Sequence, residues 1–310
     1  MSTDDTNVAA ADMIMCCASC GKAEINDIKL TPCDKCDLVH YCSDECQEQH
    51  RQQHEAICKL RAAELRDAIL FKQPEESHLG DCPICYLPMP QENFKSLMRS
   101  CCLKTICNGC HYADAFRIDG KHNITCPFCR NGKDRLSKKS NYRKELMKWA
   151  EKNEPVALRE IGKGCRNDGD LEGAFQNMKK AAGQGDAEAH FLLSDLFDKG
   201  LVSGVENEEE MANFHLAEAA IAGHPEARYC LGLVEMKNKQ FDRAVKHWTI
   251  AATLGHDESI ERLKKCYMDG HVSKDEFAAA LRAHQAAANA MKSQKREEAS
   301  WLFLRSYGEA

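Results

Sequence analysis

The stretch CASCGKAEINDIKLTPCDKCDLVHYCSDECQEQHRQQHEAIC, residues 17–58, decides how the first part of the chain folds. It carries Cys17, Cys20, Cys33, Cys36, Cys42, Cys46, His54 and Cys58, spaced as CxxC, twelve residues, CxxC, five residues, CxxxC and a closing HxxxC. Zinc takes four ligands and prefers thiolate and imidazole, so eight such donors make two closed tetrahedral sites. The CxxxC and HxxxC spacings put both donors on one face of a helix, about one turn apart.

Outward from this block, the composition bounds what is attached to it. The chain has 310 residues, more than one ordinary core, so two or three domains are expected. It is 43% hydrophobic and 29% charged, with a mean hydropathy of −0.54, and no apolar run approaches the roughly 18–20 residues of a spanning helix. Residues 1–15, MSTDDTNVAAADMIM, carry Asp4, Asp5 and Asp12 where a signal peptide is basic, and read as a disordered leader. The chain is therefore expected inside the cell, in cytoplasm or nucleus, without a membrane partner. A net charge of −6 and a pI near 6.1 give no electrostatic footprint for nucleic acid. Of nineteen cysteines, sixteen lie between Cys16 and Cys129. Without a secretory signal, clustered CxxC pairs point to metal rather than disulfides. Cys165, Cys230 and Cys266 read as small buried apolar side chains.

The first block, taken as residues 16–58, resembles the MYND finger, including its Tyr41-Cys42 and Cys46-Gln47 pairs. The resemblance implies interleaved ligation, with Cys17, Cys20, Cys42 and Cys46 on one zinc and Cys33, Cys36, His54 and Cys58 on the other. Cys16 is spare in that scheme unless the register shifts by one, and His50 reads as a surface residue. Such fingers are structural and dock short, often proline-containing peptides. A helical linker over 59–79 follows, with Leu60, Leu65, Ile69 and Leu70 as its apolar positions and Gln73-Pro74 as its end.

A second cysteine block, within 80–130, runs CPIC (82–85), SCCLKTICNGC (100–110) and CPFCR (126–130). It resembles the RING finger. The resemblance implies cross-bracing, with Cys82, Cys85, Cys107 and Cys110 on one zinc, and Cys126 and Cys129 on the other with two ligands from 101–104. A histidine is usual where Lys104 stands, and a protonated lysine has no lone pair to give. Cys101 and Cys102 are the expected replacements. Adjacent residues point in different directions, so both reach one metal only through a tight local kink. His111 or His122 are alternatives, and a finger with a single zinc is another. Zinc is thus the expected cofactor, four ions per chain, or three if the last site is defective.

A RING performs no chemistry itself, and no catalytic residue is assigned here. It holds a ubiquitin-loaded conjugating enzyme, and by resemblance Ile84 and Pro127 form the apolar contact while Arg130 bridges enzyme and ubiquitin. A planar guanidinium suits that bridging role. The plainer alternatives are that Ile84 and Phe128 only pack the zinc loops and that Arg130 opens a basic linker. That linker, 131–153, sits in a stretch with nine basic and three acidic residues from Arg130 to Lys152 and reads as a solvated helix, with a localisation or nucleic-acid patch as the alternative.

From Glu154 to the end the chain is Ala-rich and repeats itself: AAGQGDAEA at 181–189, AAIAGHPEA at 219–227 and AATLGHDES at 251–259. Each copy reads as a helix end, a turn at Gly185, Gly223 or Gly255, and a helix start. Periods of this length indicate a solenoid of helix pairs. Residues 155–290 resemble the Sel-one-like repeats, relatives of tetratricopeptide arrays, with C-terminal helices expected to cap the stack. The expected architecture is therefore small zinc-stabilised α+β fingers followed by an all-α solenoid. Two functions fit it: a RING-type ubiquitin ligase whose MYND finger and repeats select protein substrates, or a non-catalytic scaffold. A nucleic-acid regulator rests only on the basic stretch and the zinc.

Overall fold

The computed structural model describes residues 15–24, 28–115, 125–130, 139–202, 204 and 206–308. The leader, apart from Met15, lies outside the described residues, as do His122 and residues 131–138 of the basic stretch. The chain forms two compact units, Met1–Leu70 and Phe71–Ala310.

In the first unit β1 (Thr31–Pro32) pairs antiparallel with β2 (His40–Tyr41), and α1 (Asp44–Leu70) follows. Ser43 Oγ accepts from the Cys46 amide at 3.4 Å, and Asp44 and Glu45 place negative charge at the positive end of the helix dipole. The helix that holds the last zinc ligands and the helix expected after them are one continuous rod. Leu60 and Ile69, expected on a packed apolar face, are exposed. Among the described residues, the buried cluster around the tetrads holds four cysteines and, besides them, Leu30 and Tyr41. So small a core does not hold a domain together by burial, and metal must supply the rest.

The second unit begins with the cysteine-rich finger. Strands β3 (Ser96–Met98) and β4 (Thr105–Cys107) form a hairpin that leads into α2 (Asn108–Ala115). Helices α3 (Lys139–Ala150), α4 (Pro155–Asn167), α5 (Leu171–Ala182), α6 (Ala187–Asp198), α7 (Glu208–Ile221), α8 (Pro225–Lys237), α9 (Phe241–Thr253), α10 (Asp257–Met268), α11 (Lys274–Ala290) and α12 (Gln294–Gly308) complete it. Pairs α4/α5, α6/α7 and α8/α9 pack as hairpins, and α5/α6, α7/α8 and α9/α10 join them into a solenoid. Each repeated AAxxG element ends its helix in the same way. The amides of Gly185, Gly223 and Gly255 donate to Ala182, Ala220 and Ala252, and the next amide in each case donates to Ala181, Ala219 or Ala251. This is the Schellman closure, and it needs a left-handed residue, here glycine at φ +83° to +88°. The paired alanines are 0–4% exposed, so a larger side chain there would separate the hairpins.

Two elements depart from the expected layout. The basic stretch is not a free linker where it is described: α3 packs on α4, and Leu146 joins the first solenoid core with Tyr142 and Trp149 against it. The last helix does not cap the stack. α11 packs on α9 and α10, whereas α12 packs on α2 of the finger. The finger is joined to the repeats a second time through Met98 and Leu103, which lie against the first solenoid core.

Candidate metal centres

Four groups of side chains bring their donor atoms within 4.8 Å of one another: Cys17/Cys20/Cys42/Cys46, Cys33/Cys36/His54/Cys58, Cys82/Cys85/Cys107/Cys110 and Cys101/Cys102/Cys126/Cys129. Sulfurs bound about 2.3 Å from one tetrahedral zinc lie about 3.8 Å apart. The sulfurs are 3.5 Å apart for Cys20–Cys42, 3.8 Å for Cys33–Cys58, 3.9 Å for Cys85–Cys107 and 3.7 Å for Cys102–Cys126. His54 offers Nε2, 3.2 Å from Cys36 Sγ. Donor type, number and spacing fit zinc in all four groups. In both fingers the two groups alternate along the chain, so each zinc would close a loop that the other crosses.

One backbone device recurs. In four of the five CxxC pairs the residue after the second cysteine donates its amide to the carbonyl of the first cysteine: Gly21 to Cys17, Asp37 to Cys33, Tyr86 to Cys82 and Arg130 to Cys126, at 2.8–3.1 Å, whereas Cys107–Cys110 opens helix α2. That residue has φ between +55° and +73° in all four, which curls the loop so that both sulfurs face inward. The SCCLK stretch is built the same way. Leu103 has φ +56° and donates its amide to Arg99 at 2.7 Å, so Arg99 holds the first-cysteine position and Cys102 the second. Cys101 then supplies the missing ligand from two residues further in. This is the kink that lets neighbouring cysteines share one metal. His111 is turned elsewhere, its Nδ1 3.0 Å from the Arg99 guanidinium.

Zinc binds thiolates, so its binding to these tetrads would release thiol protons. A hydrogen bond from Cys107 holds the Cys82 thiol low, at about 4, and the same bond drives Cys107 upward. Burial, reinforced by bonds to neighbouring thiols, pushes Cys58 up to about 12 and Cys102 to about 11.

Several contributing residues carried no signal in the motifs. His50, expected at the surface, is half-buried, stacks on His54 and meets the Tyr41 hydroxyl at 3.1 Å. Arg296, far along the chain, reaches Cys85. His78, Glu188 and His224 also place their donor atoms close together, yet His224 is fully employed. Its Nδ1 accepts from the Ala227 amide while Nε2 donates to Glu188, and its ring stacks on His78 at 4.1 Å with planes 8° apart. Parallel rings aim their lone pairs side by side rather than at one ion, so this group is structural. Burial opposes the charge on Glu188, but the bond from His224, the nearby His78 ring and the Lys163 charge keep its carboxyl far below the usual range.

Of the residues expected to meet a partner, Ile84 is 38% exposed, Arg130 is exposed and Pro127 half-buried. No helix of the described residues is long and apolar enough to cross a membrane.

Among solved structures, the chain is similar to a protective antigen present in uropathogenic Escherichia coli strains displaying an SLR fold. That match is 21% identical, covers 57% of this chain and 37% of the other, and has a TM-score of 0.40. A Sel1 repeat protein from Oxalobacter formigenes is 22% identical over 59% of this chain and 74% of its own, with a TM-score of 0.41. MamA is 19% identical over 48% and 88%, with a TM-score of 0.33. No curated protein matches the chain at a significant level. The MYND finger family model matches residues 17–58, and this segment is a MYND zinc finger.

Proposed function

We propose that this is a zinc-dependent protein-interaction protein acting as a RING-type ubiquitin ligase, in which the second finger recruits the conjugating enzyme and the MYND finger and helical repeats select the substrate. The sixteen residues of the four tetrads hold four structural zincs. With four protein donors each, none keeps a position for water, and the zincs shape surfaces rather than react.

The observation that carries this reading is the convergence of Cys101 and Cys102 with Cys126 and Cys129. Together with Cys82, Cys85, Cys107 and Cys110 it gives the alternating pair of sites that a cross-braced finger requires. The apolar side chain of Ile84 stands open on the first zinc loop, and Arg130 stands open directly after the last cysteine. An exposed isoleucine on a rigid loop suits an enzyme-binding contact, and a guanidinium suits a bridge between two proteins.

The test is discharge of ubiquitin from a panel of loaded conjugating enzymes by the zinc-replete chain. Wild type is expected to accelerate discharge with at least one enzyme, and Ile84→Ala and Arg130→Ala are each expected to slow it at least about tenfold, the loss of roughly 1.4 kcal/mol of contact. No acceleration with any enzyme would remove the ligase reading and leave a scaffold of the same modules.

A further inference from the structure

Arg296 lies 211 residues along the chain from Cys85, and its guanidinium points at that sulfur. One terminal nitrogen donates to Cys85 Sγ at 3.4 Å and to the Leu87 carbonyl at 3.1 Å. The other donates to the Pro88 carbonyl at 2.7 Å and the Met291 carbonyl at 2.6 Å. The residue is 8% exposed. An arginine is rarely buried so deeply without a charge to answer. The finger supplies one. Four thiolates on a divalent ion leave a net dianion, and here Cys82 and Cys107 are fully buried and Cys110 nearly so, out of reach of water. A buried charge of that size requires a partner.

The finger is also shaped to receive the helix that carries this arginine. A Cβ on Gly109, the residue before Cys110, would lie 2.8 Å from the Arg296 amide nitrogen and 2.9 Å from the Lys295 carbonyl carbon. Backbone cannot yield as a flexible side chain can, so only glycine lets α12 lie this close to α2. The acceptor loop is part of the same design: the Leu87 carbonyl that Arg296 binds also accepts the Cys82 amide at 3.0 Å.

We propose that Arg296 is a positioning residue for the third zinc centre. Its guanidinium neutralises the buried thiolates, donates to Cys85 and fixes the loop behind the first zinc-binding turn, which makes the C-terminal helix a working part of the second finger. This rests on the reading of Cys82, Cys85, Cys107 and Cys110 as a zinc site. Partners beyond the directly bound ligands commonly change metal affinity 10–100-fold.

The experiment follows zinc release from the full-length, zinc-loaded chain to a chromogenic chelator. Arg296→Met, which keeps the apolar stem but removes donors and charge, is expected to release one of four zincs about 10–100-fold faster and leave the other three unchanged. Arg296→Lys keeps the charge without the planar fork and should fall between. Gly109→Ala keeps the arginine but forces α12, and Arg296 with it, away from the finger, and should produce the same fast phase. In the cobalt-substituted chain, the sulfur-to-metal charge-transfer band of one site in four should shift in Arg296→Met. Wild-type rates in both Arg296→Met and Gly109→Ala overturn the proposal, as does equal acceleration of all four zincs, which signifies general loosening. A Cys82→Ser chain that binds as much zinc as wild type overturns the underlying site assignment instead, and the proposal with it.

Discussion

Leu103 sits at φ +56°, a conformation a branched side chain rarely adopts and that costs about 1–3 kcal/mol. What holds it is its own amide bond to Arg99 and the packing of its side chain against the first solenoid core. The strain has a use: it gives a CC pair the curl of a CxxC turn. If Arg99 occupies a vacated ligand position, the ligand can be moved back. Cys101→Ser is expected to lower the bound zinc from four ions to three, counted by native mass spectrometry. Adding Arg99→Cys restores a regular CxxC ending at Cys102 and should return the count to four, with a lower melting temperature because the buried Arg99–His111 contact is lost. A double variant that stays at three would show that the turn is not an altered zinc-binding turn. Spacing alone showed that a kink was required, but not its form, because the left-handed residue that makes it is a leucine, a residue type that carries no turn signal.

The helix-ending glycines of the repeats look equivalent in sequence and are not equivalent in the fold. Gly185 and Gly223 have φ +83° and +84°, so alanine costs each about 1–2 kcal/mol from backbone conformation alone. Nothing lies within 4 Å of a Cβ at Gly185. At Gly223 a Cβ would be 2.7 Å from the Glu76 carbonyl oxygen, and the Gly223 carbonyl accepts the His78 amide at 3.0 Å, so the segment leading into the second finger is seated on this turn. Gly223→Ala should therefore lower the urea midpoint, followed by far-ultraviolet circular dichroism, by about twice as much as Gly185→Ala. Equal shifts would mean that the segment does not rest on the repeats. The turns were legible because AAxxG recurs. The links between repeats were not. His224 bonds Glu188 at 3.0 Å and His256 bonds Glu226 at 2.8 Å, each histidine one residue after its glycine and each glutamate three after the glycine of the preceding copy. The residues repeat in the sequence, but which copy each one meets depends on how far a hairpin advances along the stack.

Across the whole chain, two kinds of cohesion coexist. The repeats are held by apolar burial: Leu158, Ile161, Met178, Leu193, Leu196 and Phe197 in one core, Trp248, Ile260 and Leu263 in another. The MYND finger buries little beyond its ligands. This contrast was visible in the cysteine count, which falls away after Cys129. The assignment of α3 to the solenoid was less visible, because Tyr142, Leu146, Trp149 and Ala150 have helical spacing but are interleaved with the basic residues that dominate the composition. The division predicts the response to zinc removal. A strong chelator at neutral pH should abolish the near-ultraviolet signal of Tyr41, whose burial depends on the MYND tetrads, while most of the helical far-ultraviolet signal survives. The remaining helices should still melt cooperatively, but several degrees lower, since loosening the second finger withdraws Met98 and Leu103 from the first solenoid core and exposes apolar area at about 25 cal/mol per Å². Loss of the whole helical signal on chelation would show instead that the repeats depend on metal for their fold, and that burial of these side chains is not enough to hold them together.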